Sequence, residues 1–504
     1  MKSRNQGVAL SYVNTVLNMV TGFFLSSFFV KMLGDTEYGL YQMVTSFVSY
    51  LVLLEFGTGT AMTRNISKCR AQNADKQEIQ KNISTIWTIS LLLAIIIAVA
   101  SIVFYSQIGN IYNKLTFDQV SYAQKILLLE VVYLIVSFLS STLNGVVLGF
   151  EQYKLGPIIS IVRLISRAAL MVGIILIYRY AIAIVIVDVL VSITTATYLF
   201  VFCIRRLRLT FTTRYFDRQV FKEILPLCMA MFIQTLVNQA NSSVDQFVIG
   251  IKMTPEHVSY YSIGLFFYNA FSLLTTVPIT MYGPQIVKDI IQKVNEDTLM
   301  DHMIRPSRFI TLIGTTALCG FFVAGRQFIN LCYGENYKIV WFVALIIMVP
   351  MMINMSNGIL INVLDALNKR MARSYVLMFT TIANIILTVV WIDIWGIIGA
   401  SIATAVCTLV GQITMMNVYY SKKLNIKIMY LYYRTFKGIL IPQLIATAIA
   451  FILGNTLRSN FISLIISGCI YITIFSFLFL KFGMQESERE IVSAIKNKLQ
   501  KKNN

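Results

Sequence analysis

Long apolar runs alternate along the chain with short polar segments, and the runs are of bilayer-crossing length rather than the roughly 10–14 residues of a buried soluble helix. Fourteen stretches can be marked: 7–33, 41–64, 83–105, 122–149, 157–178, 181–203, 224–250, 258–284, 308–332, 339–364, 375–393, 396–420, 437–456 and 461–481. The joins near Arg179 and Trp395 carry the fewest polar residues. A lipid-exposed segment satisfies its backbone as a helix or within a closed barrel, and runs this long fit the helix. The pattern therefore predicts an all-α integral membrane protein with about 14 transmembrane helices.

Composition agrees. The chain is 57% hydrophobic and 13% charged, against about 25% charged in a soluble domain. Its net charge of +19 would suggest nucleic acid in a soluble protein. Here the basic residues fall between the apolar stretches, about 32 on one side and 7 on the other. That bias places both termini in the cytoplasm and excludes a nucleic-acid partner. Lys2 and Arg4 precede a run too long for a signal-peptide core, which reads as a retained first helix. Seven scattered cysteines without a CxxC pair, and two isolated histidines, His257 and His302, point to neither a disulfide framework nor a metal site. No cofactor is expected, apart from H+ or Na+ as a coupling ion.

The chain repeats itself at an offset of about 216 to 221 residues. KMLGDTEYGLY (31–41) corresponds to KMTPEHVSYY (252–261), VVLGFEQYK (146–154) to NVLDALNKR (362–370), and Arg205–Arg206–Leu207 to Lys422–Lys423–Leu424. Six helices per copy is an even number, so both copies share one orientation, an arrangement suited to two bundles rocking about a central cavity. The expected organisation is an N-terminal lobe (1–206), a linker (207–223), a second lobe (224–424), two further helices (437–481) and a tail (482–504).

Polar residues line up on several helices. Asn14, Asn18 and Thr21 share a face of the first; Gln234, Asn238, Asn241 and Asp245 make a longer stripe on the seventh. Gln42, Ser46 and Ser49 in the second helix and Tyr261, Tyr268, Ser272 and Thr275 in the eighth are softer versions. Such stripes line an aqueous cavity or bond across packed helices. Ionisable groups at membrane depth cost about 2.5–3.5 kcal/mol each on insertion scales, so each calls for a role. The acids are Glu55, Glu130, Asp188 and Asp245; the bases are Arg163 and Arg167, one turn apart on the fifth helix, with Arg64 at the end of the second. Two guanidinium forks on one face suit a phosphate or pyrophosphate; the competing reading is snorkelling to the interface. Asp245 is a candidate ion-coupling carboxylate or a structural partner, and Glu55 is a second candidate in a helix end loosened by the following FGTG. Gly145 and Gly149 form a GxxxG suited to close helix packing.

KMLGDTEYGLYQM, then YLVLLEFGTGTAMTRNIS (50–67), resemble the opening of the polysaccharide-transporter branch of the MOP exporter superfamily, MATE-like in fold, which includes the Wzx-type oligosaccharide flippases. DQFVIG (245–250) with Tyr260 and Tyr261, LCYGENY (331–337) and VLDALNK (363–369) are similar to later segments of that family. The resemblance implies a flippase that moves undecaprenyl-pyrophosphate-linked oligosaccharide from the inner to the outer leaflet of a bacterial cell membrane by alternating access. Membrane lipids, a polysaccharide polymerase and other assembly proteins would be its partners. It matches Arg64 to the family's second-helix arginine and Asp245 to its seventh-helix acid. Arg163, Arg167, Asn14, Asn18, Gln234, Asn238 and Asn241 are substrate-binding candidates from this sequence itself. Fourteen helices match the longer members, including those resembling the lipid II flippase. A multidrug antiporter would be expected to carry an acid in the first helix, where this chain has Asn14 and Asn18. A membrane enzyme is not expected: the longest external loop, about 106–121, offers as charged groups Lys114 and Asp118, with no acid–base pair.

Overall fold

The computed structural model describes residues 2–367, 369–456, 461–485 and 488–489. Side chains are described throughout these except at 2–13, 16, 230, 233–234, 237–238, 240–242, 275–277, 280 and 455–456. The described chain is helical, with no strand among the described residues. Eight helices open it: α1 (Lys2–Leu33), α2 (Asp35–Leu51), α3 (Thr58–Ala71), α4 (Lys76–Ile111), α5 (Phe117–Gly149), α6 (Leu155–Ile177), α7 (Ile182–Arg205) and α8 (Arg218–Lys252). Then come α9 (Pro255–Ile291), α10 (Glu296–Tyr333), α11 (Lys338–Ser356), α12 (Leu360–Ala366), α13 (Arg370–Cys407), α14 (Met416–Leu424), α15 (Ile428–Phe436), α16 (Leu440–Thr456) and α17 (Phe461–Leu478).

The fourteen expected stretches lie mainly on helix, with 41–64 and 339–364 each crossing a break between two helices. Nine helical segments among the described residues are long and apolar enough to cross a membrane, and a tenth arises if α15 and α16, bent by 46°, are one span. The count of fourteen is thus not established. One segment, Arg370–Leu424, is 55 residues long and covers two expected stretches; it turns at Gly396, whose φ of 59° is a conformation that glycine adopts without a Cβ clash.

The chain packs as two units, 1–262 and 263–504. This division differs from the expected lobe boundary at 207–223. The reason is α8: Phe56 stacks on Phe232 with ring centroids 4.5 Å apart, and Gln239 bonds to Ser49. Packing therefore joins α8 to the helices before it, whereas the repeat assigns it to the second copy. The core of the first unit gathers Met62 and Ile66 of α3, Ile83 and Ile86 of α4, Val146 and Val147 of α5, and Cys203 of α7. The GxxxG glycines explain how α3 and α5 come so close: a Cβ on Gly145 would lie 2.3 Å from the Gly59 carbonyl oxygen, and one on Gly149 2.7 Å from the Ile66 Cβ. In the second unit one core surrounds Leu360 and Leu364, and another joins Val323 of α10 to Tyr471 and Phe475 of α17.

Candidate functional site

The segment that carries the sequence motif is a structural joint. Gly34 (φ 83°) ends α1, and α2 starts at once with Asp35. Gly39 then sits under the next loop: a Cβ there would lie 1.9 Å from the Pro255 carbonyl oxygen, so no larger residue fits without movement. Thr36 Oγ1 donates to Glu256 Oε1 at 2.6 Å, the Tyr260 hydroxyl donates to Asp35 Oδ2 at 3.2 Å, and the Ala181 amide donates to Glu37 Oε2 at 3.1 Å. The two matched repeat segments, 31–41 and 252–261, thus hold one another.

Along the same span the helix breaks. After Leu51 a 3₁₀ turn, Val52–Glu55, leads into Phe56 and Gly57, both left-handed with φ of 51° and 64°. This is the loosened end expected from FGTG. Glu55 accepts a hydrogen bond from Ser141 Oγ of α5 at 2.7 Å. Arg64 follows on α3 and is exposed. Its neighbours Lys68 and Arg70 pair with Glu223 and Glu151 at 3.3 and 3.6 Å.

Arg163 and Arg167 do share a face of α6, but they are differently engaged. Arg163 is half-buried, with Nη2 within 3.4 Å of the Tyr133 hydroxyl and 3.5 Å of Ser192 Oγ, long contacts with neutral partners. Arg167 donates from Nε and Nη2 to the two carboxylate oxygens of Asp188 on α7, the second at 3.0 Å. The two forks on this face therefore differ: Asp188 neutralises that of Arg167.

Asn14 and Asn18 bond along α1, Asn18 Nδ2 donating to the Asn14 carbonyl and Oδ1 at 2.9 and 3.1 Å. The side chains of Gln234, Asn238 and Asn241 lie outside the described residues. Asp245, at the end of their stripe, is buried and accepts from the Tyr261 hydroxyl at 2.7 Å. The stripe as counted missed Gln239, which donates to Ser49 and Ser243 at 2.6 and 2.7 Å. Ser49 was a signal, since it belongs to the polar face of the second helix. Glu130, buried on α5, accepts from Thr45 Oγ1 at 3.1 Å.

The four acids expected at membrane depth, Glu55, Glu130, Asp188 and Asp245, differ in the partners described above. Asp188 is committed to a guanidinium. Glu55, Glu130 and Asp245 are held by hydroxyls, which donate to a carboxylate and can turn to accept once it is protonated.

A family model described as polysaccharide biosynthesis protein matches residues 5–288, more than half of the chain. The chain belongs to that family. No curated protein sequence matches it. Among solved structures it is similar to the lipid II flippase MurJ in an inward closed conformation, at 16% identity and a TM-score of 0.72, with 94% of this chain and 98% of that one covered. It is also similar to an inward-facing multidrug resistance MATE family transporter of the MOP superfamily, at 15% identity and a TM-score of 0.60, covering 81% and 96%. A third is the Vibrio cholerae MATE transporter VcmN, at 13% identity and a TM-score of 0.52, covering 85% and 100%. At these identities the likeness is one of fold, the MOP fold that the motifs implied.

Proposed function

We propose that this member of the polysaccharide biosynthesis family is a flippase, not an enzyme, which carries lipid-linked oligosaccharide across a bacterial cytoplasmic membrane by alternating access. Membership of the family over 5–288 is the observation that carries the reading. The fold shared with a lipid II flippase supports it. The Lys/Arg bias puts both termini in the cytoplasm. A pyrophosphate-bearing substrate would be met by Arg163, with Arg64 exposed in the middle of α3 and Arg167 holding its partner helix in place. Asn14, Asn18, Gln234, Asn238 and Asn241 are the amides proposed to receive sugar hydroxyls. Asp245 and Glu55, each of which accepts a hydroxyl hydrogen bond, are the proposed carriers of the coupling ion, H+ or Na+. A polymerase and other assembly proteins would take the flipped unit.

A second reading within the same fold is a lipid II-type substrate, favoured by the likeness to MurJ over 94% of the chain. A MATE-like antiporter stands behind both, because α1 offers Asn14 and Asn18 where an ion-binding acid would be needed. Deletion of the gene, with labelled detection of surface glycan, tests the proposal. Loss of polymer with lipid-linked units accumulating inside, restored by the intact gene, is the expected result. Unchanged glycan with altered sensitivity to cationic drugs would favour the antiporter, and arrested cell-wall synthesis the lipid II reading.

A further inference from the structure

The second unit contains a cavity of about 670 Å³ that has no part in the site above. Three distant pieces of chain build it. The first half of α10 supplies Asp301, Arg305 and Arg308, the end of α15 supplies Arg434 and Lys437, and the segment after α17 supplies Arg489. Among the described residues the lining thus holds five cations and one carboxylate.

Arg308 has a structural task. It is 2% exposed, and its guanidinium donates to both Glu488 oxygens, to the carbonyls of Arg434 and Lys437, and to the Gly483 carbonyl at 2.7 Å. It therefore pins the three pieces together, and Glu488 is used in balancing it. His302 is likewise engaged, with Asp289 at 2.7 Å. Arg434, Lys437 and Arg489 have no carboxylate within ion-pairing distance among the described residues. The Nε of Arg434 is buried and has no hydrogen-bond partner there.

Such a gathering is unfavourable by itself. Like charges held near one another repel, more strongly near a protein surface than in water, and the Arg308 clamp restricts the pieces from spreading. A buried guanidinium N–H without an acceptor adds a further penalty. Both costs are offset by a polyvalent anion with oxygens on several sides. Arginine forks match phosphate geometry two bonds at a time, and of Arg434, Lys437 and Arg489 two are arginines. We propose that this cavity is a binding site for a phosphate-bearing anion that bridges α10, α15 and the segment after α17. The shared chemistry could come from an anionic phospholipid headgroup or from a soluble diphosphate. The site shares no residue with the proposed transport site and does not rest on that reading.

The test uses the full chain in nanodiscs, following thermal unfolding and bound lipid by native mass spectrometry. Phosphatidylcholine discs with added inorganic pyrophosphate form one arm; discs of equal phosphatidylcholine and phosphatidylglycerol form the other. A rise in Tm with pyrophosphate assigns a soluble anion, and a rise with retained phosphatidylglycerol assigns a headgroup. In either case the Arg305→Gln/Arg434→Gln/Arg489→Gln variant is expected to lose the response, with affinity weakened by about tenfold or more. Arg205→Gln/Arg206→Gln/Arg208→Gln, in the first unit, is expected to keep it. If the first triple variant does not fold, Arg489→Gln alone is measured and should weaken the response. No rise in either arm, or equal responses in wild type and in the folded cavity variant, would overturn the site and return these arginines to solvated surface charge.

Discussion

Arg167 and Asp188 form a two-pronged ion pair between α6 and α7, with the carboxylate side chain 8% exposed and the guanidinium 32%. Removing one partner strands the other at membrane depth, which for buried pairs costs roughly 3–5 kcal/mol, whereas an apolar pair of similar volume is often tolerated. Arg167→Ala should therefore lower Tm sharply in purified protein, and Arg167→Met/Asp188→Leu should recover most of the loss. If Arg167→Ala unfolds like wild type, the pair contributes nothing to stability.

Arg163 should behave in the opposite way. Its long contacts with Tyr133 and Ser192 contribute little to folding, so Arg163→Ala is expected to leave expression and Tm within about 1 kcal/mol of wild type. Transport, measured as surface glycan in a complemented deletion strain, should fall, and Arg163→Lys should rescue it in part because it keeps the charge but not the fork. Full activity in Arg163→Ala would return this residue to snorkelling.

Sequence spacing captured what is local. The GxxxG at Gly145 and Gly149 announced close packing because a Cβ has no room there, and the Gly pair after Glu55 announced the helix break. Arg163 and Arg167 were visible as a pair because four residues make one turn. Their difference was not visible, since Asp188 lies 21 residues from Arg167 across a connection that helical periodicity does not register. The same limit hid Arg308, whose carboxylate partner is 180 residues away. The division of the chain after Ser262, inside α9, was also hidden: repeats report ancestry of segments, whereas packing follows which faces find partners.

Gly39 offers a direct steric test of the joint between the matched repeat segments. A methyl group there would collide with a backbone carbonyl, which moves less readily than a side-chain tip. Gly39→Ala should cost about 1–3 kcal/mol by overpacking. Gly173→Ala, on α6 with nothing within 4 Å of the added Cβ, should be neutral or gain up to about 1 kcal/mol of helix propensity. Thermal unfolding of the two variants side by side distinguishes steric exclusion from a general glycine effect, which would give equal changes.

The same joint should respond to acid. Glu256, in the first turn of α9 and ahead of the expected span 258–284, has a carboxyl held below its ordinary value of 4.5: burial raises it, but hydrogen bonds from Thr254 and Thr36 and the neighbouring His257 more than offset that. A carboxyl depressed by folding contributes stability that is complete above the unfolded value and disappears as pH falls through the folded one. Wild type should therefore be more stable than Glu256→Gln at neutral pH, and the two Tm curves should approach one another as pH falls below 4.5. Parallel curves would mean that Glu256 is not linked to folding.

Asp245 and Tyr261 separate ion coupling from structure. The hydroxyl of Tyr261 donates to a buried carboxyl, so Tyr261→Phe removes one donor and is expected to cost about 1–2 kcal/mol of stability. Asp245→Asn keeps a carbonyl acceptor for that hydroxyl but can neither carry a proton nor bind a cation by charge. If Asp245 is a structural anchor, Asp245→Asn should transport nearly normally and Tyr261→Phe should be the worse variant. If it carries the coupling ion, the order reverses: Asp245→Asn should fold well yet lose the acceleration that an imposed H+ or Na+ gradient gives to wild-type transport in vesicles. Tyr261→Phe should keep that acceleration, because the carboxyl remains. The gradient that accelerates wild type and leaves Asp245→Asn unmoved then identifies the ion.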